Sequence, residues 1–292
     1  MIASTAALAQ HGREHGYAVP AVNILDDLSL RAVVAAAVAA SAPLIVQLSV
    51  KTVRSTGTEL LTTMFRLATR DAPVPVALHL DHCPDRSVID DVVAAGWSSV
   101  LFDASDRDLA TAERETTEVV AQAHAAGLDV ESEIENIIGV EDGVGSDLSR
   151  HSYSVRELVE VAERTGADLI APQLGTAHGE YHARPVLLPE RVRELTALTD
   201  RSIVLHGGTG LSAEDFRTFI EAGVSKINIS TAVKVAYMRS AAAHLDDARA
   251  RDTWDPPSLF RDVSAAVQAV IVPPIEQFGA AGHAEAAARG AR

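Results

Sequence analysis

Pro75-Val-Ala-Leu-His-Leu-Asp-His-Cys-Pro84 decides how the rest of this chain is read. It begins as a short apolar run, Val76-Ala77-Leu78, of the kind that makes a buried strand. It ends on Asp81 and His82, an acid and an imidazole whose burial is costly without a task. Two later stretches have the same form, Asp168-Leu-Ile-Ala-Pro-Gln-Leu-Gly-Thr-Ala-His178-Gly179 and Ser202-Ile-Val-Leu-His206-Gly207-Gly208. Each delivers a histidine just beyond a strand-like run and follows it with glycine. Three histidines so placed could converge on one metal, leaving a fourth position for water or substrate as in a catalytic zinc site; structural hydrogen bonding is the alternative.

Outward from that stretch, strand-like and helix-like segments alternate. Strands are expected at residues 18–24, 43–49, 75–82, 98–103, 128–133, 168–172, 202–206 and 224–229. Helices are expected at 26–40, 58–70, 85–95, 109–126, 155–165, 189–198 and 212–222, after a leading helix at 4–15. Gly96 and Gly127 close two of the helices, and residues 256–277 read as a further helix interrupted by Pro273-Pro274. Eight strands separated by helices imply a parallel sheet, and about 230 residues suit a closed (β/α)8 TIM barrel with extra N- and C-terminal helices. An open doubly wound sheet is the runner-up, weakened because no GxGxxG follows the first strand. The 292 residues are expected to form one domain, 1–292.

A barrel of this kind carries its active site at the C-terminal ends of its strands. Asn23, Ser49, Asp81, His82, Asp103, Glu133, His178, His206 and Asn228 all fall at or just past such ends. His11, His15, His79, His124, His151, His244 and His283 have no such placement and read as ordinary core or surface residues. Residues 134–153 form the longest irregular stretch, and long loops in compact domains are usually functional. The glycines after the seventh strand, with Asn228-Ile-Ser-Thr231 after the eighth, occupy the usual phosphate position of this fold; a plain tight turn fits GGTG as well.

Composition narrows the partners. A net charge of −15, from 25 basic and 40 acidic side chains, disfavours nucleic acid and anionic membranes. One cysteine, Cys83, excludes an intramolecular disulfide framework and suits a cytoplasmic setting. No run approaches the roughly 20 apolar residues that span a bilayer, so a soluble, unexported protein is expected.

The stretches PAVNI (20–24), LHLDHC (78–83), GVEDGV (139–144), GTAHGEY (175–181), LHGGTGL (205–211) and KINIST (226–231), in this order, resemble the class II, metal-dependent ketose-bisphosphate aldolases. That family includes fructose- and tagatose-bisphosphate aldolases, and the resemblance runs from about residue 3 to about residue 284. It implies one catalytic Zn2+ per subunit on His82, His178 and His206, and Asp81 as the acid/base at the C4 hydroxyl of a ketose phosphate. It implies cleavage to dihydroxyacetone phosphate and an aldehyde through a zinc-stabilised enediolate, with Glu141 exchanging the C3 proton. Gly179, Gly207, Gly208, Thr209, Asn228, Ser230 and Thr231 match the phosphate-binding loops, and a monovalent cation, Na+ or K+, binds near Gly179 in the family. Asp103 and Glu133 match carboxylates that hold a second or displaced metal, or that orient the site. Asn23 and Ser49 match positions lining the substrate pocket. A homodimer or homotetramer acting on a small sugar phosphate in carbohydrate metabolism is the implied assembly and role.

This chain departs from the family pattern in places. Cys83 stands where glycine is expected, to pack as a small buried residue or to perturb the turn aiming His82. Glu135-Asn-Ile-Ile-Gly139-Val replaces a glycine-rich stretch before Glu141, and the segment after the fourth strand lacks the usual histidine and proline. Ser230 replaces a frequent aspartate or asparagine. These changes leave the aldehyde half of the substrate open. Arg184 and Lys226 are the nearest basic residues in sequence, as distal phosphate ligands or as a surface arginine and a barrel-packing lysine. A non-catalytic aldolase-like partner subunit is the alternative function, though such a relative would have lost part of the acid and metal set. A phosphate-binding barrel isomerase or epimerase is a further one.

Overall fold

The computed structural model describes residues 2–141, 144–146, 151–179 and 184–290; of residues 140, 141 and 144–146 the backbone alone is described. In chain order the elements are α1 (Thr5–His15), β1 (Val19–Asn23), α2 (Asp27–Ala39), β2 (Leu44–Ser49), α3 (Val50–Thr56), α4 (Thr58–Thr69), β3 (Val76–Cys83), α5 (Arg86–Ala94), β4 (Ser99–Asp103), α6 (Leu109–Ala125), β5 (Asp129–Glu133), β6 (Gly139–Glu141) and β7 (Val144–Ser146). They continue as α7 (Val155–Thr165), β8 (Leu169–Ile170), α8 (Pro189–Thr196), β9 (Ser202–Leu205), α9 (Ala213–Ala222), β10 (Val224–Ile229), α10 (Thr231–Arg251), α11 (Pro256–Gln277) and α12 (Ala284–Gly290).

Eight parallel strands close into a barrel in the order β1-β10-β9-β8-β5-β4-β3-β2. The expected (β/α)8 barrel is therefore the observed fold, and the open sheet is excluded. Its strands are buried on both faces, which is why they read as near-continuous apolar runs such as Leu44-Ile-Val. The capping residues set where helices begin. Asp26, Asp85, Asp108, Ser154 and Ser212 each accept a backbone N–H of the first turn. The α1 helix seals the N-terminal end of the barrel: Ser4 Oγ donates to Asp129 Oδ2 at 2.8 Å, and the Arg13 guanidinium donates to the Thr199 and Arg201 carbonyls at 2.8 and 2.6 Å.

Beyond α10 and α12, for which no range is expected from the sequence, four details differ from the sequence expectation. The sixth barrel strand is only two residues long, because Pro172 has no N–H to continue the ladder. A short helix, α3, follows β2 directly, started by Ser49, whose Oγ accepts from Thr52 N. The stretch 134–153 is not wholly irregular, since β6 and β7 pair within it as an antiparallel hairpin. Pro273 and Pro274 do not interrupt α11, which runs on to Gln277. Val263, Val267, Ile271 and Ile275, four apart on one face, are buried, and that packing offsets the lost backbone hydrogen bonds.

Candidate active site

Consecutive residues of a strand point to opposite faces, so Asp81 and His82 should not both face the barrel axis. The structure resolves this with a bulge. The register between β3 and β4 shifts between Leu80 and Cys83, and His82 sits at φ 44°, in the left-handed region that a non-glycine residue enters at a cost. Both side chains are buried at the C-terminal end of β3, at 2 % and 4 % exposure.

The three histidines converge. Ring centroids of His82 lie 4.8 Å from His178 and 4.7 Å from His206, both edge to face. His206 Nδ1 and His82 Nε2 face one another at 2.9 Å. Each ring turns its other nitrogen to a carboxylate: His206 Nε2 is 2.8 Å from Glu131 Oε1, and His82 Nδ1 is 3.4 Å from Asp103 Oδ2. A carboxylate takes the N–H and leaves the inward nitrogen its lone pair, the arrangement of metal-ligating imidazoles. Glu133 Oε2 is buried without a hydrogen bond, 3.5 Å from both His82 Nδ1 and His206 Nδ1. The ligand atoms of His82, His178 and His206 lie within 4.8 Å of one another, as do those of His82, Asp103 and Glu133. This donor set, with an orphaned carboxylate oxygen beside it, fits a divalent cation.

The electrostatics follow from burial and pairing. Burial lowers the His82 pKa, yet the carboxylates of Asp81, Glu133 and Asp103 outweigh it and hold the ring well above its ordinary value. Burial, with Asp103 beside it, pushes Glu133 well above the usual carboxylate range. Burial also opposes ionisation of Glu131 and Asp103, but Lys226 and His206 hold the first, and His82 and Ser105 the second, below that range. The His206 pKa is lowered by burial against the bond to Glu131.

Asp81 is held by two amides. Asn23 Nδ2 donates to Oδ2 at 2.9 Å and Asn228 Nδ2 to Oδ1 at 3.3 Å; Gln47 Nε2 in turn donates to Asn23 Oδ1 at 2.9 Å. Beside this cluster, His178, Gly179, Gly207, Gly208, Thr209, Asn228, Ser230 and Thr231 line a small polar pocket. Gly207 has φ 68°, and a Cβ there would lie 2.4 Å from Ala177 O; one on Gly208 would lie 2.9 Å from Asn228 O. Ser230 Oγ is buried without a hydrogen bond, just ahead of the 21-residue helix α10. A wider, open cavity of 560 Å³ lies at the other end of the barrel, between α1 and the starts of β8 and β9, away from these groups.

The expected site residues thus assemble, with qualifications. Ser49 is level with Asp81 in the β2–β3 register, but its hydroxyl caps α3. Glu141 lies on β6, and its side chain is outside the described residues. Lys226 is wholly buried and packs inside the barrel, while the Arg184 side chain is 88 % exposed beside Asp215. His79 has the ordinary role expected of it, with Nδ1 2.7 Å from Ser99 Oγ. Cys83 packs as a small buried residue; the left-handed position is 82, not 83.

Four supporting side chains, Ser105, Arg107, Glu131 and Glu135, have no role assigned from the sequence, although Glu131 and Glu133 are read there as sharing one strand face. Ser105 Oγ donates to Asp103 Oδ1 at 2.6 Å, and Arg107 donates to the Asp103 and Pro84 carbonyls. Glu131 holds His206, as above. Buried Glu135 accepts from Tyr153 N, Gln173 N and Arg191, tying both ends of the hairpin segment to the barrel. The alternation Glu131, Glu133, Glu135 is the signal that could have found two of them.

A parallel barrel with three clustered histidines, two of them buried, an adjacent carboxylate and a glycine-lined pocket at its C-terminal end has the architecture of a barrel enzyme with a candidate metal centre. Residues 3–283 match the family described as Fructose-bisphosphate aldolase class-II. The chain is 31% identical over 276 residues to a fructose-bisphosphate aldolase of Staphylococcus epidermidis, covering 94% of this chain and 96% of the relative. It is 35% identical over 211 residues, 72% of each chain, to one of Geobacillus stearothermophilus. A solved structure from Coccidioides immitis, proposed to be a fructose-1,6-biphosphate aldolase, superposes with a TM-score of 0.87 at 29% identity, covering 95% and 96% of the two chains. The chain belongs to the class II fructose-bisphosphate aldolase family and is a lyase of that type. Among the described residues no helix is long and apolar enough to cross a membrane.

Proposed function

We propose that this protein cleaves a ketose phosphate or bisphosphate reversibly to dihydroxyacetone phosphate and an aldehyde, using one zinc ion held by His82, His178 and His206. The observation that carries this reading is the pairing of His82 and His206, each with one nitrogen on a carboxylate and the other facing its neighbour, with Asp81 Oδ1 4.0 Å from His82 Nε2. Zinc, when bound, supplies Lewis acidity at the C2 carbonyl. Asp81, aimed by Asn23 and Asn228, takes the C4 hydroxyl proton as the C3–C4 bond breaks; the aldehyde leaves and the bonding pair stays with the three-carbon fragment. Glu141 then returns a proton to C3, the role the family resemblance gives it. Backbone N–H groups of the Gly207–Gly208 turn and the start of α10, with Ser230 and Thr231, bind the phosphate. Asp103 and Glu133 orient His82 or hold a displaced metal, and a monovalent cation binds near Gly179. Residues 1–292 act as one catalytic unit. A homodimer or homotetramer completes the proposal, with Met238, Trp254 and Phe260 standing exposed on and between α10 and α11; loss of scattering mass to the monomer at micromolar concentration would count against it.

The test is a retro-aldol assay of zinc-loaded protein on ketose 1-phosphates and 1,6-bisphosphates, following triose release with and without EDTA. We expect chelation to abolish release and Asp81→Ala to lower kcat by about 10²- to 10⁴-fold. Cleavage that survives both would overturn the reading, and the best substrate of the panel names the aldehyde.

A further inference from the structure

Beneath the histidine cluster lies a lysine that no step above uses. Lys226 is on β10 with its side chain 0 % exposed, two residues before Asn228, so both point to the barrel interior. An ammonium buried this deeply is costly unless its partners are fixed. It has two. Nζ lies 2.8 Å from Glu131 Oε2, as an ion pair without the alignment of a hydrogen bond, and donates to Asn228 Oδ1 at 2.7 Å. Each partner reaches one half of the active site. The other oxygen of Glu131 accepts from His206 Nε2 at 2.8 Å, and the other end of the Asn228 amide donates to Asp81 Oδ1 at 3.3 Å.

We propose that Lys226 is a positioning residue that ties the metal ligand His206 to the base Asp81, fixing Glu131 under the one and the orientation of the Asn228 amide beside the other. The inference rests on the aldolase reading above for the role of Asp81, and on the histidine cluster alone for the role of His206. An amide can present oxygen or nitrogen to a neighbour. A donor on Asn228 Oδ1 forbids the flip that would turn that oxygen toward the Asp81 carboxylate. Gln47 does the same for Asn23 on the opposite side, so both oxygens of Asp81 meet N–H groups. On the metal side, a fixed carboxylate keeps the proton of His206 on Nε2 and its lone pair on Nδ1.

A purely structural lysine would only balance the charge of Glu131, and the two roles separate in three variants: K226M, E131Q and the charge-balanced K226M/E131Q. Zinc affinity is measured by chelator competition on substrate-free protein, alongside Tm, kcat and KM. We expect zinc to bind at least 10-fold more weakly to K226M and to E131Q, with the double variant no weaker than the weaker single. In the double variant Tm returns toward the wild-type value while kcat stays at least 10-fold down with KM changed less than about threefold. Wild-type zinc affinity in K226M, or kcat recovering in step with Tm in the double variant, overturns the proposal. Should K226M not fold, the double variant carries both readouts, and wild-type affinity and kcat there overturn it equally. Wild-type protein that binds zinc but releases no triose defeats the aldolase reading alone, with the affinity series still deciding the link from Lys226 to His206. Wild-type protein that cleaves substrate while K226M binds zinc normally defeats the link alone.

Discussion

Replacing Arg191 with methionine should loosen the segment that carries Glu141 without touching the site itself. The guanidinium is 15 % exposed and donates to Glu135 Oε1 at 2.8 Å, to Gln173 O at 2.9 Å and to Tyr153 O at 2.6 Å. Methionine fills most of the volume and satisfies none of these acceptors, leaving Glu135 buried at 0 % exposure without its cation. Breaking a buried pair by removing one partner costs roughly 3–5 kcal/mol. Glu135 keeps the backbone N–H groups of Tyr153 and Gln173, at 2.8 and 3.0 Å, which places the loss near the lower end, about 3 kcal/mol. With an unfolding entropy of about 2.1 cal/mol/K per residue, a 292-residue chain then loses about 5 °C in Tm. Scanning calorimetry measures this, and limited proteolysis should show earlier cutting between residues 136 and 151. The double variant Arg191→Met/Glu135→Gln removes the stranded charge but keeps an acceptor for only one of the two N–H groups, which bond to different oxygens of Glu135, and should recover part of the loss. A fall of less than about 2 °C in the single variant, or no recovery in the double, would show that the pair does not anchor this segment.

Burial, with Lys226 nearby, holds the His79 pKa well below 6.5. Above that value the ring is neutral folded or unfolded; below it the unfolded chain takes a proton that the folded one refuses, so stability falls with pH. Between pH 7 and 5.5 the wild type should lose about 1 kcal/mol more than His79→Gln in urea titrations, and parallel losses would refute it. Gly207→Ala places a Cβ 2.4 Å from Ala177 O at φ 68°; we expect a loss of about 2–4 kcal/mol and a KM for ketose phosphate raised at least 10-fold, against which an unchanged Tm would count. Burial pushes the Cys83 thiol up to about 12, so folded protein at pH 8 should resist iodoacetamide for hours, and alkylation within minutes would contradict the packing described.

The sequence carried the fold because each barrel strand is buried on both faces and bounded by a capping residue or glycine. Local physics alone marks such segments. It placed the histidines, Asn23, Asn228 and the glycines together because all of them sit at or just past strand ends, where a barrel gathers them; that the two amides hold Asp81 is visible only in the fold. It did not carry what depends on contacts far apart in the chain. That Glu131 serves His206, that Lys226 pairs with Glu131, and that Arg191 serves Glu135 are facts of tertiary proximity across 56 to 95 positions. The α3 helix was missed for a local reason, since Ser49 was read as a pocket residue and its capacity to start a helix went unused. The continuity of α11 through Pro273-Pro274 was missed because packing on one helical face overrode a propensity rule.

Asp81 and His82 also explain why this site needs a bulge where the glutamates do not. Glu131 and Glu133 reach one side by alternating, with a residue of the opposite face between them, and no backbone distortion is required along β5. Two side chains that must lie on the same side cannot use that device if they are adjacent in sequence. The left-handed backbone at His82 turns its ring inward beside Asp81, bringing Nε2 to 4.0 Å from Oδ1, at the expense of one ladder position against β4. Strain of this kind, of order 1–3 kcal/mol, persists only where the surroundings over-determine it. Here they do: Asp103 and Glu133 flank one nitrogen of His82, and His206 faces the other. The distortion and the carboxylates are therefore parts of a single device, with Asp103 and Glu133 holding a ring orientation that the strand alone would not adopt.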